Sequence, residues 1–301
     1  MIHTPVLLED ILNAFDPKPG ETFVDATVNG GGHAKEIYGR VQPGGKVLGI
    51  DWDCGLVARL AEQTKQLDNF QVVCDTYANI IHTVRGQKFS DIRGILIDAG
   101  FSSYHVDASG RGFTFTKDEP LDMRYHSGED GKPQESQITA ATIVNTESEK
   151  TLEKIFKEYG EERFARQIAH GIVASRKRTP IRTTAELCTI IRQAIPRAGR
   201  GIHYATRTFQ ALRIAVNREL ENLEQGLVGG LEVLSPGGRL AVISFHSLED
   251  RIVKNFFRES EKNGTLRIVT KKPIVGGVQE IRMNPRARSA KLRIAEKISI
   301  P

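Results

Sequence analysis

Four times in its first hundred residues this chain runs short and apolar and then meets an aspartate. The runs are Thr22 to Ala26 (TFVDA, which holds Asp25), Lys46 to Ile50 (KVLGI, followed by Asp51), Phe70 to Cys74 (FQVVC, followed by Asp75) and Ile92 to Ile97 (IRGILI, followed by Asp98). Polar, helix-compatible segments separate them. Strands spaced by helices in this way predict an α/β fold with a parallel sheet and right-handed crossovers. Ligands of such sheets bind outside the carboxyl ends of the strands, so all four acids are expected at one rim.

The rhythm stops after the fourth run. From Tyr104 to about Gly201 no segment reads as a buried strand. Ser109 to Arg124 is loop-like, with Gly110, Gly112 and Pro120. Leu152, Ile155, Phe156, Tyr159, Phe164, Ile168 and Ile172 then recur at helical spacing, with Gly160 between two helices, and Ala185 to Ala194 is another helix. This stretch is read as a mostly helical insertion, dividing the chain into 1–103, 104–201 and 202–301. Past it, Phe209, Leu212, Val216, Leu220, Leu223 and Leu227 step by three and four, predicting one long amphipathic helix. Pro236-Gly237-Gly238 is a turn, Leu240 to Phe245 a buried fifth strand, and Leu266 to Val269 a sixth. Ser247 is placed to cap the next helix, with Asp250 three residues on. Ala290, Leu292 and Ile294 alternate with Lys291 and Arg293 as a half-buried final strand.

A chain of 301 residues can bury a full core without staples. Its net charge of +5 says little by itself. The placement of charge says more: Arg286, Arg288, Lys291, Arg293 and Lys297 crowd the segment from Asn284 to Lys297 against one acid, Glu296. Cys54, Cys74 and Cys188 are dispersed, which predicts neither a disulfide framework nor a metal site and implies a reducing compartment. The opening MIHTPVLLEDILNAF reads as a short amphipathic helix interrupted by Glu9 and Asp10, unlike a signal peptide. No window approaches the roughly 20 apolar residues of a membrane span. The chain is accordingly read as soluble and cytoplasmic.

The segment from Asp25 to Ala34 (DATVNGGGHA) joins the first strand to the first helix after it. Consecutive glycines let the backbone approach a ligand closely. Asp51, at the end of the second strand, can accept both ribose hydroxyl protons. A dinucleotide site calls for G-x-G-x-x-G, and Lys35 stands at the third glycine position. Asp25 before the turn would repel a pyrophosphate but suits a cationic sulfonium or ammonium. The pattern favours S-adenosyl-L-methionine (AdoMet) over NAD. The plain alternative is a tight β–α turn with no ligand.

Further blocks run nearly the length of the chain: His3-Thr4-Pro5-Val6-Leu7-Leu8, Gly31-Gly32-His33, Ile97-Asp98 with Ser102-Ser103, Arg111-Gly112-Phe113, Pro120-Leu121-Asp122-Met123-Arg124, and the stretch from Tyr159 to Ala165 (YGEERFA). They continue with Ala205 to Ile214 (ATRTFQALRI), Ser244 to Arg251 (SFHSLEDR) and Asn284 to Ser289 (NPRARS). In this order they resemble the 16S ribosomal RNA cytosine-N4 methyltransferases, the RsmH/MraW family. The resemblance implies a Rossmann-like methyltransferase sheet interrupted after its fourth strand by a helical substrate domain. It implies AdoMet as donor and a cytosine of the decoding centre as acceptor, within the small ribosomal subunit. It also places donor contacts on Gly31, Gly32, His33, Asp51, Tyr77, Asp98 and His105. The chain departs from the family pattern at Asn29 (for glycine), Tyr104 and Tyr204 (for proline) and His105 (for glutamine).

The cytosine amino nitrogen is a poor nucleophile, because its lone pair is delocalised into the ring. A site helps by accepting amino protons and by aligning donor with acceptor. Asp98 is expected to organise this catalytic step, with Phe101 or Tyr104 available to stack on a base that has left its helix. Arg111, Arg124, Arg207, Arg213, Arg286 and Arg288 are expected to follow RNA phosphates as a set, although each alone reads as a solvated charge. His246 is placed either to contact the base or to cap the following helix. No ligand spacing predicts a metal. A homodimer is left open. The rival readings are a methyltransferase acting on another substrate, a non-catalytic RNA-binding assembly protein and, more distantly, a dehydrogenase.

Overall fold

The computed structural model describes residues 5–100, 103–125, 138–195 and 203–299. The chain divides into two compact units, one of residues 1–100, 127–132 and 220–301, the other of residues 101–126 and 133–219.

The first unit begins with α1 (Leu8–Phe15) and continues β1 (Thr22–Asp25), α2 (Gly32–Val41), β2 (Lys46–Asp51), α3 (Cys54–Thr64), β3 (Phe70–Cys74), α4 (Ile80–Gly86) and β4 (Ile92–Asp98). The strands follow the apolar runs of the sequence, and each run is nearly continuous because a parallel sheet is covered on both faces. Alternate residues serve opposite faces. Phe23, Val47, Leu96, Ala241 and Ile243 enter one core with α1 and α2, while Val24, Leu48, Ile95, Ile97, Leu240 and Val242 enter a second core with α4.

The second unit holds α5 (Ser103–Asp107), α6 (Ala140–Thr146), α7 (Glu149–Gly160), α8 (Ala165–Arg176), α9 (Thr184–Ala194) and α10 (Thr206–Asn217). Leu152, Phe156, Ile168, Ile172, Leu187, Phe209 and Leu212 meet in its core. The loop-like stretch before α6 is tied in by backbone bonds. Leu121 donates to the Arg182 carbonyl (2.9 Å), and the Asn217 side chain bridges the Met123 carbonyl (2.7 Å) and the Tyr125 amide (2.8 Å).

The long helix expected over 209–227 is two helices. Arg218 adopts a left-handed conformation (φ 49°) and ends α10. The next helix, α11 (Glu219–Val233), lies almost wholly in the first unit. The apolar three-four stepping runs unbroken across the break, which is why periodicity alone hides it. The unit boundary accordingly falls at residue 219, beyond the sequence boundary at 201.

The first unit then completes its sheet with β5 (Leu234–Ser244), α12 (Ser247–Lys262), β6 (Leu266–Ile268), β7 (Ile274–Val275), α13 (Val278–Met283) and β8 (Lys291–Lys297). The strand order is β3-β2-β1-β4-β5-β8-β6, with β7 also pairing with β8. The strands β1 to β5 pair in parallel, and β8 lies antiparallel between β5 and β6. The final strand is therefore interior rather than half-buried. Its Arg293 is itself buried and donates to Asp250 of α12 at 2.7 Å.

Two local expectations are corrected. The residue that caps α12 is His246, not Ser247: its ring accepts the Glu249 amide while Glu249 reaches back to the His246 amide. The cysteines are not all dispersed thiols, because Cys54 and Cys74 form a disulfide, with their Cα atoms 5.0 Å apart. Their 20-residue spacing spans one helix and one strand. In a parallel sheet that spacing brings the ends of neighbouring strands side by side, and Asp51 pairs with Cys74 in register. Among the described residues no helix is long and apolar enough to cross a membrane.

Candidate functional site

Past Asp25 the chain turns into α2. Asn29 (φ 47°) and Gly31 (φ 79°) take left-handed conformations there. Asparagine is one of the few side chains that visits this region readily, so its presence in place of glycine preserves the turn. Gly32 is needed for space: a Cβ on it would lie 2.6 Å from Pro5 Cγ. The segment at Pro5 and Val6 lies against this turn, and the buried His33 bonds the Val6 carbonyl through Nε2 (2.9 Å). His33 thus fastens the N-terminal segment to the start of α2.

Below the turn, three carboxylates are buried at the ends of adjacent strands: Asp25 (2% exposed), Asp51 (6%) and Asp98 (8%). Burial pushes Asp25 up to about 7, with Asp98 and Asp51 adding to the effect against the lowering bond from the Thr27 amide. Burial likewise raises Asp98 to about 7; the Gly100 amide and the Arg286 charge oppose the rise, and Glu249 adds to it. Asp51 rises to about 6, again through burial, although the Asp53 and Asn29 amides bond it. Those amides reach one oxygen each, at 2.9 Å. The Trp52 amide lowers Asp51 as well; a carboxylate has room for about four hydrogen bonds, so Asp51 retains some acceptor capacity. Thr27 locks the rim together by accepting the Asp98 amide at 2.7 Å.

The fourth acid expected at this rim does different work. Asp75 accepts the Thr76 amide (2.7 Å), the Asn79 side chain (2.9 Å) and the Thr83 hydroxyl (2.7 Å), which shapes the turn into α4. Glu249 is an acid the sequence reading passed over. It is buried and accepts the Phe245 amide (2.7 Å) at the end of β5. Trp52 was also missed. It follows Asp51, is half-buried, and meets the buried Tyr77 edge-on with ring centroids 6.0 Å apart. Tyr77 itself packs in the core, where a Cβ on Gly226 would lie 2.7 Å from its ring. The sequence signal for Trp52 was its place beside Asp51.

The model of the MraW methylase family matches residues 1–298. The chain belongs to the MraW methylase family. A Heliobacterium modesticaldum protein named ribosomal RNA small subunit methyltransferase H is 45% identical over 98% of each chain. A Deinococcus deserti protein of the same name is 45% identical over 100% of this chain and 95% of its own. A solved rRNA methylase from Streptococcus thermophilus covers 99% of each chain at 12% identity with a TM-score of 0.45.

The remaining candidate residues of this MraW-family methylase divide between the units. In the first unit, Arg286 is half-buried within electrostatic reach of Asp98, and Arg288 is exposed. In the second unit, His105 is buried among rings, its centroid 5.0 Å from Tyr125 and 5.1 Å from Phe113, with Tyr104 beside it at 6.1 Å. Three arginines expected on a phosphate-following surface are instead buried and bonded. Arg111 donates to the carbonyls of Arg124 (3.1 Å) and Tyr125 (2.9 Å). Arg124 pairs with Asp122 at 2.7 Å, and Arg213 clasps Glu219 with two bonds of 2.8 and 2.9 Å. Only Arg207 of this unit's candidates is exposed, with one bond to the Glu161 carbonyl at 3.2 Å. Phe101, the other proposed base-stacking ring, lies outside the described residues.

Proposed function

We propose that this methylase transfers the methyl group of AdoMet to the N4 amino group of a cytosine in the decoding centre of 16S ribosomal RNA. The observation that carries the donor assignment is the rim of buried carboxylates. Asp25, Asp51 and Asp98 are raised by burial and, among the described residues, none of them is ion-paired. A ligand bearing positive charge would compensate them, as an anionic pyrophosphate would not. Bound AdoMet supplies an activated methyl on a sulfonium. Asp51 is placed to receive the ribose hydroxyls on its remaining lone pairs. The left-handed turn through Asn29 and Gly31 would let the backbone approach the donor closely.

Asp98 stands at the end of the central β4, at the rim where ligands of parallel sheets bind. As a carboxylate it accepts a hydrogen bond from the amino group, and this bond strengthens as the nitrogen becomes tetrahedral and acidic. The proton then leaves to solvent or to the carboxylate itself, whose raised affinity for protons suits that role near neutral pH. Arg207, Arg286 and Arg288 are the candidates to hold flanking phosphates.

The test is to incubate the protein with isotopically labelled AdoMet and either naked 16S RNA or small subunits lacking the modification, and to map the product by mass spectrometry. N4-methylcytosine in the decoding centre is the expected product. Label on another base or another RNA would replace the acceptor assignment, and absence of AdoMet binding would overturn the donor.

A further inference from the structure

The Cys54–Cys74 bond lies beside the residue assigned to the donor ribose. Cys54 opens α3 directly after Asp53, whose amide bonds Asp51 and whose carboxylate caps that helix by accepting from Gly55 and Leu56. Cys74 closes β3 in register with Asp51, and the next amide, that of Asp75, donates to the Asp51 carbonyl at 3.0 Å. The bond therefore ties the turn carrying Asp51, Trp52 and Asp53 to the turn carrying Asp75 and Tyr77. Both cysteines are only half-buried, which leaves the bond open to a small thiol.

We propose that Cys54 and Cys74 are a redox modification site, a dithiol–disulfide pair that exchanges with glutathione-type thiols and sets the affinity of the adjacent rim for AdoMet. The inference rests on the donor reading above. In the oxidising direction one protein thiolate attacks a sulfur of glutathione disulfide and expels one glutathione thiolate. The second protein thiolate then attacks the mixed disulfide and expels the other. Two protein thiols lose two electrons and two protons, and one glutathione disulfide becomes two glutathiones. Closing the bond limits how far the two turns can separate. Opening it restores freedom that donor binding must then remove, and affinity falls. The third cysteine does not compete. Cys188 is buried in the helical unit, and that burial, with Asp118 adding to it, pushes its thiol up to about 11.

The chain has a single tryptophan, Trp52, two residues from Cys54, so the site carries its own reporter. The full chain is equilibrated in buffers of graded glutathione ratio. The bond is scored by intact mass and thiol alkylation, Trp52 emission is recorded, and AdoMet binding is measured by calorimetry at each ratio. One transition is expected in which the mass falls by two hydrogens, Trp52 emission changes with it, and the oxidised form binds AdoMet severalfold more tightly. A Cys54→Ser, Cys74→Ser chain is expected to bind like the reduced form at every ratio. Two results overturn the proposal: no intramolecular bond at any ratio, or a bond whose closure leaves the affinity unchanged. The comparison of wild-type redox forms stands even if the double variant does not fold. A folded chain that binds no AdoMet in either form defeats the donor reading and the proposed control with it, while mass and emission report separately on whether the pair is redox-active.

Discussion

In the sheet-bearing unit Asp25, Asp51 and Asp98 are buried and, among the described residues, unpaired with any cation; in the helical unit Arg111, Arg124 and Arg213 are comparably buried, and each is bonded to protein groups. Burying a charge is expensive unless something of opposite sign or a set of hydrogen bonds compensates it. The arginines carry that compensation within the fold, Arg213 most completely through its two bonds to Glu219. The aspartates take backbone amides but, among the described residues, no ion pair; the Arg286 charge only partly offsets the burial of Asp98, and burial raises all three. The contrast separates charge that is paired or bonded within the fold from charge that the fold leaves without an ion pair among the described residues. It is not simply a property of each unit, since Asp250 and Arg293 make a closed pair beside the same sheet.

Substitutions on the two sides of the contrast should move stability in opposite directions. The largest effect is expected for Arg213→Ala, which removes both guanidinium bonds to the buried Glu219. Breaking such a pair costs about 3–5 kcal/mol, and calorimetric unfolding should show it. A loss below about 1 kcal/mol would place Arg213 with the solvated charges after all. Asp98→Asn is expected to do the reverse, removing a buried charge that no ion pair among the described residues compensates and raising the melting temperature of the ligand-free protein. It should at the same time slow methyl transfer by about 10²-fold or more in a single-turnover assay. Retained transfer would remove Asp98 from the chemistry.

A smaller effect is expected from pH. The rim carboxyls are raised from 3.8 to about 6 for Asp51 and about 7 for Asp25 and Asp98, so the folded protein holds protons that the unfolded chain has released. Their contribution to stability therefore declines as pH rises from roughly 4 to 7. A cationic ligand prefers the ionised rim, so AdoMet affinity should increase by about tenfold between pH 6 and pH 8. S-adenosylhomocysteine, which lacks the sulfonium charge, should respond less. A flat profile for both ligands would mean that the rim does not sense the donor's charge. The smallest effect belongs to the exposed side of the comparison: Arg288→Ala should leave the melting temperature in place and reduce the salt slope of RNA binding by about 1.

The first four strands were legible because they announce themselves twice, by an apolar run and by an acid inside it or just past its end. Asp51 and Asp98 could be placed at a rim on that basis alone. Asp75 obeys the same pattern but is spent on Thr76, Asn79 and Thr83, a local competition that the strand signal does not carry. The break at Arg218 was hidden because apolar spacing is continuous through it, and one left-handed residue leaves no compositional mark. Burial of Arg111, Arg124 and Arg213 was equally invisible. A guanidinium bonded to carbonyls or clasped by Glu219 has the same letter as one facing solvent, and its partners lie in the fold. The pairing of Cys54 with Cys74 was invisible because their proximity is a product of strand order, with β2 and β3 as neighbours.

The position of β8 has a consequence for how the molecule is made. It follows all the other strands in the chain, yet it fills the gap between β5 and β6 and also carries β7. Synthesis runs from one end to the other, while the sheet is completed from its middle. Until residues 291–297 have emerged, β5 has an open edge and β6 has no neighbour to join. Such an edge is a template for the wrong partner. The interval between making β5 and making β8 is thus the stage of this protein's life when it most depends on protection from other chains.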